Sequence, residues 1–277
     1  MRRSTTSTST PRMPETGSAE LPVERWVRGS TTQTTDRVAE EMPVALVYHG
    51  VPHVVMLATP ANLEDFATGF TLSEGLVAHA REIHSVEVER GEDAIDVRVG
   101  ISAERFSHML ERRRYLTGRT GCGLCGAETV EQAIRPPPTV GKGATLTVAE
   151  LHAALIDIQA RQPINALTGS VHAAAWIEPG RGITCVREDV GRHNALDKTI
   201  GALTRAGADF TTGCMLITSR ASYEMVQKSA TVGISFVIAV SAPTALAIRV
   251  AQKSGVTLVG FARAEQHVIY TYPERLT

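Results

Sequence analysis

The sequence contains one C-x-x-C pair, Cys122 and Cys125, set in the glycine-rich run GCGLCG. Cysteine reacts as the thiolate, which nearby positive charge and freedom from apolar burial both favour. Arginines 112–114 and 119 precede the pair and could lower the pKa of its thiols, although such a run is equally typical of the solvated face of a helix. A C-x-x-C of this kind has three chemical uses: dithiol exchange, metal ligation, and the carriage of sulfur as a persulfide.

Two of these uses fit the surrounding sequence poorly. Dithiol exchange of the thioredoxin kind has the pair opening a helix after a strand, whereas here it lies among glycines and prolines. A structural zinc site requires a second pair of ligands, and a deaminase zinc site requires H-x-E, where this chain has His172 followed by two alanines. Persulfide carriage is therefore the favoured interpretation of Cys122 and Cys125. Cys185 and Cys214 lie in apolar runs and are expected to be buried.

A second cluster, the run REDVGRHNALDK, places charged and hydrogen-bonding side chains at the predicted start of a helix. A helix N-terminus attracts anions, and the glycine in the run lets a ligand approach the backbone closely. The alternative is a salt-bridged capping cluster that binds no ligand. The candidate ligand-binding residues of this cluster are Arg187, Asp189, Arg192, His193 and Asn194.

Two further segments follow predicted strands, and ligands in open α/β sheets collect outside the carboxyl ends of the strands. In the first segment, Ser219, Arg220 and Ser222 suit phosphate or base-edge contacts, with helix capping by Ser222 as the alternative. In the second, Phe261 could stack on a planar ring and Arg263 could bind phosphate, with core packing as the alternative for the aromatic ring. We expect all three segments to converge on one sheet edge and to bind a nucleotide-like, anionic ligand.

The elements that must position these residues divide into an N-terminal and a C-terminal half. Residues 1–22 are rich in Ser, Thr, Pro and Arg and are predicted to form a disordered tail. Apolar alternation predicts an α+β subdomain over residues 23–114, with a β-hairpin followed by a helix that Asn62 caps. Dense Gly and Pro predict a mobile loop over residues 115–143, which holds the C-x-x-C. Strands alternate with helices over residues 144–277, which predicts an α/β domain with helices on both faces of its sheet.

The composition excludes several classes of protein. The chain has 28 Lys and Arg against 29 Asp and Glu, so it lacks the basic field of a general nucleic-acid binder. No apolar run approaches the roughly 18 residues that span a bilayer, and no apolar core of a secretory signal follows the first residues. We therefore expect a cytoplasmic protein that binds neither nucleic acid nor membrane and holds no structural metal.

Taken in order, these motifs resemble those of the formate dehydrogenase accessory sulfurtransferases, the FdhD/NarQ family. The resemblance extends from about residue 23 to the C-terminus. It rests on the runs AEEMPVALVYHG, ATPANLEDFATGF, TGCGLCG, TGSVHAAA, REDVGRHNALDK, SRASYEMVQK and LVGFARAEQ. One departure is the Thr-Ser pair before Arg220, where we expect Ser-Gly, so the turn is less permissive at that point.

The resemblance implies a fold, a chemistry and a set of partners. The chain would be a homodimer whose C-terminal α/β/α domain is cytidine-deaminase-like but lacks the zinc chemistry. Cys122 would accept sulfur as a persulfide from a cysteine desulfurase, with Cys125 as its partner. The sulfur would pass to the molybdenum cofactor in its bis-molybdopterin guanine dinucleotide form, which then serves formate dehydrogenase. A dithiol redox protein and a non-catalytic cofactor chaperone remain the alternatives. The resemblance assigns cofactor binding to Phe261, Ala262, Arg263, Ala264, Glu265 and Gln266.

Overall fold

The computed structural model of this chain describes residues 17–117 and 136–277. They form three β-sheets, and helices pack against the two larger ones, so the fold is mixed α/β, as the sequence predicts. Within those two ranges, every helix is too short or too polar to span a bilayer. Cys122, Cys125 and Arg119 lie outside the described residues, and so do the side chains of arginines 112–114.

A two-stranded antiparallel hairpin opens the described chain, and we call it the arm. It consists of β1 (Ser18–Val27) and β2 (Ser30–Ala39). Arg28 and Gly29 join the strands with φ angles of 48° and 88°, the positive pair that a two-residue hairpin turn of type I′ requires. The prediction that the disordered tail extends to residue 22 is wrong for residues 18–22. Their composition is too polar to suggest a strand, but backbone pairing with β2 supplies the hydrogen bonds that composition does not reveal.

A four-stranded sheet with two helices forms the rest of the N-terminal half. Its elements are β3 (Met42–Tyr48), β4 (Val51–Ala58), β5 (Ile83–Arg90), β6 (Ile95–Ile101), α1 (Leu63–Ser73) and α2 (Ala103–Thr117). The strand order is β4-β3-β6-β5, and the predicted hairpin is the β3-β4 pair. Val44, Leu46 and Tyr48 alternate along β3 and pack in one core with α1. Asn62 precedes α1, but its left-handed backbone leaves its side chain without a capping hydrogen bond, so the predicted cap is wrong.

The C-terminal half contains a six-stranded sheet between helices. Its strands are β7 (His172–Glu178), β8 (Gly182–Asp189), β9 (Cys214–Ile217), β10 (Phe236–Ala239), β11 (Thr257–Arg263) and β12 (Gln266–Thr271). Its helices are α3 (Val148–Ala160), α4 (Pro163–Thr168), α5 (Arg192–Arg205), α6 (Tyr223–Thr231) and α7 (Ala245–Ser254). Helices α5, α6 and α7 cover one face of the sheet and α3 covers the other, which confirms the predicted two-faced arrangement.

Four strands of this sheet end along the same edge. The order is β12-β11-β10-β9-β7-β8, and β9, β10 and β11 are parallel to one another. Strand β7 is antiparallel to both of its neighbours, so β8 runs in the same direction as β9. The carboxyl ends of β8, β9, β10 and β11 therefore share one side of the sheet, which we call the carboxyl edge.

The two halves meet where α1 crosses α5. A Cβ atom on Gly69 of α1 would lie 1.7 Å from the carbonyl oxygen of Asp197 on α5, and Gly201 of α5 approaches the backbone of α1 just as closely. Only glycine allows two helix backbones to come this near. The crossing therefore fixes the two halves against each other.

Buried charges surround this crossing. The Nζ atom of Lys228 lies 2.9 Å from a carboxylate oxygen of Asp197 and 2.8 Å from one of Glu74. The Nζ atom of Lys198 lies 2.6 Å from a carboxylate oxygen of Asp189, and both side chains are fully buried. Burial raises the pKa of Asp197 even though the Lys228 ammonium opposes that rise. Each buried charge thus depends on its partner from another element.

Candidate functional site

The carboxyl edge brings the three predicted segments together. The cluster after β8, the turn after β9 and the segment at the end of β11 all emerge there. The expected convergence is therefore confirmed. The structure also separates the candidate residues into those that face the edge and those that hold the two halves together.

Three candidates belong to the contact between the halves and not to a ligand site, contrary to the expectation from the sequence. Arg187 binds Asp65 of α1 at 2.8 Å, and Asp189 is paired with Lys198. The side-chain amide of Asn194 donates to a backbone carbonyl of β4 at 2.9 Å and to Asp189 at 2.9 Å. These side chains are occupied by protein partners, so the salt-bridged part of the alternative describes them. Its capping part is wrong, because the N-cap of α5 is Gly191 and receives no side-chain capping hydrogen bond.

Two members of the same cluster, Arg192 and His193, face the edge instead. The Nε atom of Arg192 is buried and donates to no acceptor among the described residues. A buried guanidinium N–H without an acceptor costs on the order of 1–3 kcal/mol, which a bound anion would recover. Burial lowers the pKa of His193, and the charge of Arg192 lowers it further, while Glu224 opposes both effects. The predicted anion site therefore retains structural support at Arg192.

The turn after β9 supplies one exposed cation and two hydroxyl groups already in use. Ser219 is buried and donates to the carbonyl of Arg220 at 3.1 Å. Ser222 donates to Glu224 at 2.8 Å, and the same carboxylate oxygen lies 3.4 Å from Nε2 of His193. Burial raises the pKa of Glu224, but these hydrogen bonds and the charge of His193 outweigh it, so that the pKa is lowered. Only Arg220 is fully available to a ligand in this segment.

Phe261 has an unusual backbone for a bulky residue. Its φ angle is +49°, and the pairing of β11 with β12 is irregular between Gly260 and Arg263. The left-handed region costs a non-glycine residue on the order of 1 kcal/mol or more, and such strain concentrates at binding sites. Phe261 is 40% exposed, so the core-packing alternative for this residue is wrong. The neighbouring Ala262 is fully buried and anchors the segment.

A cavity of about 460 Å³ lies at the carboxyl edge. Of the predicted residues, Ala262, Arg263 and Ala264 line it, whereas Glu265 in the turn before β12 and Gln266 at the start of β12 are exposed and do not line it. Its wall also includes residues that the sequence analysis did not select as ligand contacts: Gln159, Gln162, Asn165, His172 and Thr218. Only the Gln-Pro pair that starts α4 could have indicated part of this wall, because proline favours the first position of a helix.

His172 joins the cavity to Arg192. Burial is the main cause of its lowered pKa, the Arg192 charge lowers the pKa further, and Asp189 opposes both. The imidazole is therefore held neutral at neutral pH and can either donate or accept a hydrogen bond. Together these groups form an edge with two exposed arginines, a half-buried arginine whose buried Nε atom finds no acceptor in residues 17–117 and 136–277, and an exposed aromatic residue.

The described cysteines are poor nucleophiles. Cys214 is buried in β9, as predicted, and burial raises the pKa of its thiol to about 12. Cys185 is half-buried, less than predicted, and burial raises the pKa of its thiol as well. Across residues 17–117 and 136–277, no three His, Cys, Asp or Glu side chains lie close enough to share a metal ion. Thiolate chemistry is thus disfavoured at both cysteines in the described ranges.

Comparison with known proteins places this arrangement in a family. The sequence profile of the FdhD/NarQ family matches residues 39–277. The chain belongs to the FdhD/NarQ family. It is 51% identical over 266 residues to the sulfur carrier protein FdhD of Cupriavidus necator, covering 94% of this chain and 92% of that protein. It is 50% identical over 260 residues to the sulfur carrier protein FdhD of Xanthomonas euvesicatoria, with the same coverage.

A solved structure shares the fold of this FdhD/NarQ member. It is the crystal structure of a putative formate dehydrogenase accessory protein from Desulfotalea psychrophila, with a TM-score of 0.73 and 24% sequence identity. The match covers 94% of this chain and 99% of that one. The family profile begins at residue 39, the last residue of the arm, so nearly all of the arm precedes the segment that the profile matches.

Proposed function

We propose that this FdhD/NarQ protein is a sulfurtransferase that carries sulfur on Cys122 to the molybdenum cofactor bound at the carboxyl edge. The sulfur donor would be a cysteine desulfurase, and the sulfurated cofactor would serve formate dehydrogenase. Relatives at about half identity over nearly the whole chain are named sulfur carrier proteins. We place the reaction in the cytoplasm, where thiols remain reduced.

The sulfur step assigned to Cys122 balances without an external oxidant. The Cys122 thiolate attacks the terminal sulfur of the donor persulfide, a new S–S bond forms, and the donor's S–S bond breaks as its thiolate leaves. Cys125 can then attack the inner sulfur of the Cys122 persulfide. That step forms a Cys122–Cys125 disulfide and releases hydrosulfide. The high thiol pKa of Cys214 and the raised pKa of Cys185 favour the C-x-x-C as the carrier.

The observation that carries the cofactor assignment is the buried Nε atom of Arg192, which lacks an acceptor among the described residues beside an edge that presents Phe261. A guanine nucleotide supplies what both groups require, since its phosphates accept from arginine and its purine stacks on an aromatic ring. We assign phosphate contacts to Arg192, Arg220 and Arg263. We further assign contacts with the same ligand to His193, Ala262 and Ala264. Ser219 and Ser222 could contact it only by giving up their hydrogen bonds to Arg220 and Glu224, and Glu265 and Gln266 only through its exposed part.

This proposal includes a finer description of the fold. Helices on both faces of the C-terminal sheet suit a cytidine-deaminase-like domain. His172 stands at the start of β7 and is followed by Ala173 and Ala174, so the H-x-E that deaminase zinc chemistry uses is missing. The edge would then bind the cofactor as a substrate and would not activate water on zinc.

The test is to incubate the protein with a cysteine desulfurase and cysteine labelled with radioactive sulfur. We expect label on Cys122 that a thiol reductant removes. The Cys122→Ala variant should lose the label and should not restore formate dehydrogenase activity to a deletion strain. Cys185→Ala is the matched control and should retain both.

Two outcomes would favour the alternatives. Full restoration of activity by Cys122→Ala would identify a non-catalytic cofactor chaperone. A reversible Cys122–Cys125 disulfide that tracks activity, with no label transferred, would identify a dithiol redox protein.

A further inference from the structure

The carboxyl edge consists of a charged outer part and a cavity whose wall is almost uncharged. Arg192, Arg220 and Arg263 are the arginines of the edge, and of these three only Arg263 lines the cavity. The other polar side chains of the described lining are amides, a hydroxyl and the imidazole of His172, whose lowered pKa leaves it neutral at neutral pH. Such a wall suits a ligand group that forms hydrogen bonds but carries no charge.

Gln162 is the most deeply buried of these polar side chains, with 7% of its surface exposed. Its amide nitrogen donates to the carbonyl oxygen of Ile158 at 3.1 Å. Because a backbone carbonyl can only accept, this bond fixes the orientation of the amide. The side-chain oxygen of Gln162 receives no hydrogen bond from the residues that the structure describes. It is therefore an acceptor in the cavity wall that an N–H group of a ligand can satisfy.

The position of Gln162 depends on α4, which begins at the next residue and also carries Asn165 of the cavity wall. A helix leaves its first N–H groups without partners, and the side chain of the N-cap residue usually accepts from them. Gln162 is the N-cap of α4 but makes no capping hydrogen bond, since its amide is bonded to Ile158. The first turn of α4 therefore needs an acceptor from elsewhere in the chain.

Glu188 of β8 supplies that acceptor. Its side chain is nearly buried, and its two carboxylate oxygens accept from the N–H groups of Ile164 at 3.0 Å and Asn165 at 2.8 Å. The positive end of the helix dipole favours a carboxylate at this place. Helix α4 has only six residues, too few to be stable alone, so contacts with the rest of the chain must hold it. Glu188 thus fixes the segment that carries Gln162.

An acceptor in this wall selects for a particular kind of ring. Guanine presents N–H donors at ring position 1 and at its 2-amino group, whereas adenine presents an acceptor and a C–H at the same positions. The pterin ring of the molybdenum cofactor has the same 2-amino-4-oxopyrimidine edge as guanine. A site built to accept from such donors rejects an analogue that lacks them, because its own acceptor is then left unpaired.

We propose that Gln162 is a specificity-determining residue of the carboxyl edge, and that Glu188 is the positioning residue that holds it in place. The side-chain oxygen of Gln162 accepts a hydrogen bond from the 2-amino-4-oxopyrimidine edge of a guanine or pterin ring. These roles depend on the proposed cofactor binding and not on the sulfur step at Cys122.

The first test compares ligand affinities by titration calorimetry. The parent protein should bind guanosine diphosphate about 10- to 100-fold more tightly than adenosine diphosphate, or pterin more tightly than 4-aminopteridine by the same factor. Gln162→Met keeps the size of the side chain, and the carbonyl of Ile158 still accepts from the N–H of Arg161 at 3.1 Å. In this variant the preference should fall below about threefold, through weaker binding of the preferred ligand. The pair whose preference is lost identifies the ring that enters the cavity.

A second variant tests the positioning role. Glu188→Gln leaves one acceptor for two N–H groups, so the preference should fall about three- to tenfold. Added to Gln162→Met, it should cause no further loss of preference, because the residue through which it acts is absent. Glu150→Gln is the matched control, since Glu150 also accepts from two backbone N–H groups, those of Thr147 and Gly180, near the start of α3. It should leave the preference unchanged.

A purely structural role for Gln162 would weaken both members of a ligand pair equally, and that result would overturn the proposal. So would full preference in Gln162→Met, no preference in the parent protein, or the same loss from Glu188→Gln with and without Gln162. If the parent protein bound neither guanosine diphosphate nor pterin, the cofactor assignment would fall as well. Labelling of Cys122 by a desulfurase is measured separately, so a missing label would contradict the sulfur step alone.

Discussion

The α1–α5 crossing and the carboxyl edge both contain buried or half-buried charged side chains, but these side chains are paired at the crossing and incompletely paired at the edge. At the crossing, Lys228 is matched by Asp197 and Glu74, and Lys198 is matched by Asp189. At the edge, the Nε atom of Arg192 has no acceptor among the described residues. Arg192 is the first residue of α5, and Asp197 lies five residues further along the same helix, about one and a half turns away.

The difference separates residues that stabilise the fold from residues that await a ligand. A buried charge that is paired within the chain needs no ligand to neutralise it. Removing one partner leaves the other charge buried and unpaired, and its desolvation then destabilises the fold. A buried donor without an acceptor instead keeps its binding capacity for a molecule from outside. Substitutions in the two regions should therefore change different observables.

The largest effect is expected from Lys228→Met at the crossing. Methionine fills a similar volume but leaves Asp197 buried without its cation, so the free energy of unfolding should fall by about 3–5 kcal/mol. Urea denaturation measures this change. Lys253→Met, at an exposed position near the end of α7, is the control and should stay within about 0.5 kcal/mol of the parent protein.

A second variant sharpens the same point. Adding Asp197→Leu to Lys228→Met removes the stranded carboxylate, and should recover part of the lost stability because replacing a whole buried pair costs little. If Lys228→Met alone cost less than about 1 kcal/mol, the network would not be what joins the halves.

Arg192→Met should show the opposite pattern, with little change in stability and a loss of binding. The substitution removes a buried donor that lacks an acceptor among the described residues, so the free energy of unfolding should be unchanged or rise by up to about 1 kcal/mol. Guanosine diphosphate, used as the probe, should bind about 10- to 100-fold more weakly, the loss expected for one charge-assisted hydrogen bond. Titration calorimetry measures the affinity.

An independent readout separates a local effect from misfolding. The charge of Arg192 lowers the pKa of His172, so the ring resonances of His172 should titrate at higher pH in Arg192→Met. Arg249→Met, an exposed substitution on α7, is the matched control for loss of one positive charge. Undiminished nucleotide affinity in Arg192→Met would place the anion elsewhere.

Local patterns in the sequence were enough to predict most of the C-terminal sheet. Apolar runs such as the one around Cys214 predict buried strands, and strands separated by short helical segments predict their common direction. Convergence of the three segments on one edge follows from those two facts. The arm was missed because its stability comes from pairing and from contacts that its composition does not show.

Which charged residues would face the edge could not be predicted. Asp189 and Arg192 are three residues apart, and both looked suitable for a ligand. Asp189 pairs with Lys198 and accepts a hydrogen bond from the backbone N–H of Thr59, which is 130 residues away in sequence. A local pattern contains no information about such a distant partner. The φ angle of Phe261 was equally hidden, because glycine is the residue that usually indicates that conformation.

The smallest expected effect concerns that strained residue. In the left-handed region an L-residue costs about 1–2 kcal/mol, whereas glycine loses about 0.5–1 kcal/mol through the entropy of the unfolded chain. Phe261→Gly should therefore be as stable as Phe261→Ala or up to about 1.5 kcal/mol more stable. At Val268, an exposed β12 position that is absent from the positive-φ set, the order should reverse, with the alanine variant more stable. Both Phe261 variants should bind guanosine diphosphate equally weakly, because both lack the ring. If Phe261→Gly were clearly less stable than Phe261→Ala, the backbone at this position would not be strained. The contrast between the paired charges of the crossing and the incompletely paired groups of the edge would then depend on Arg192 alone.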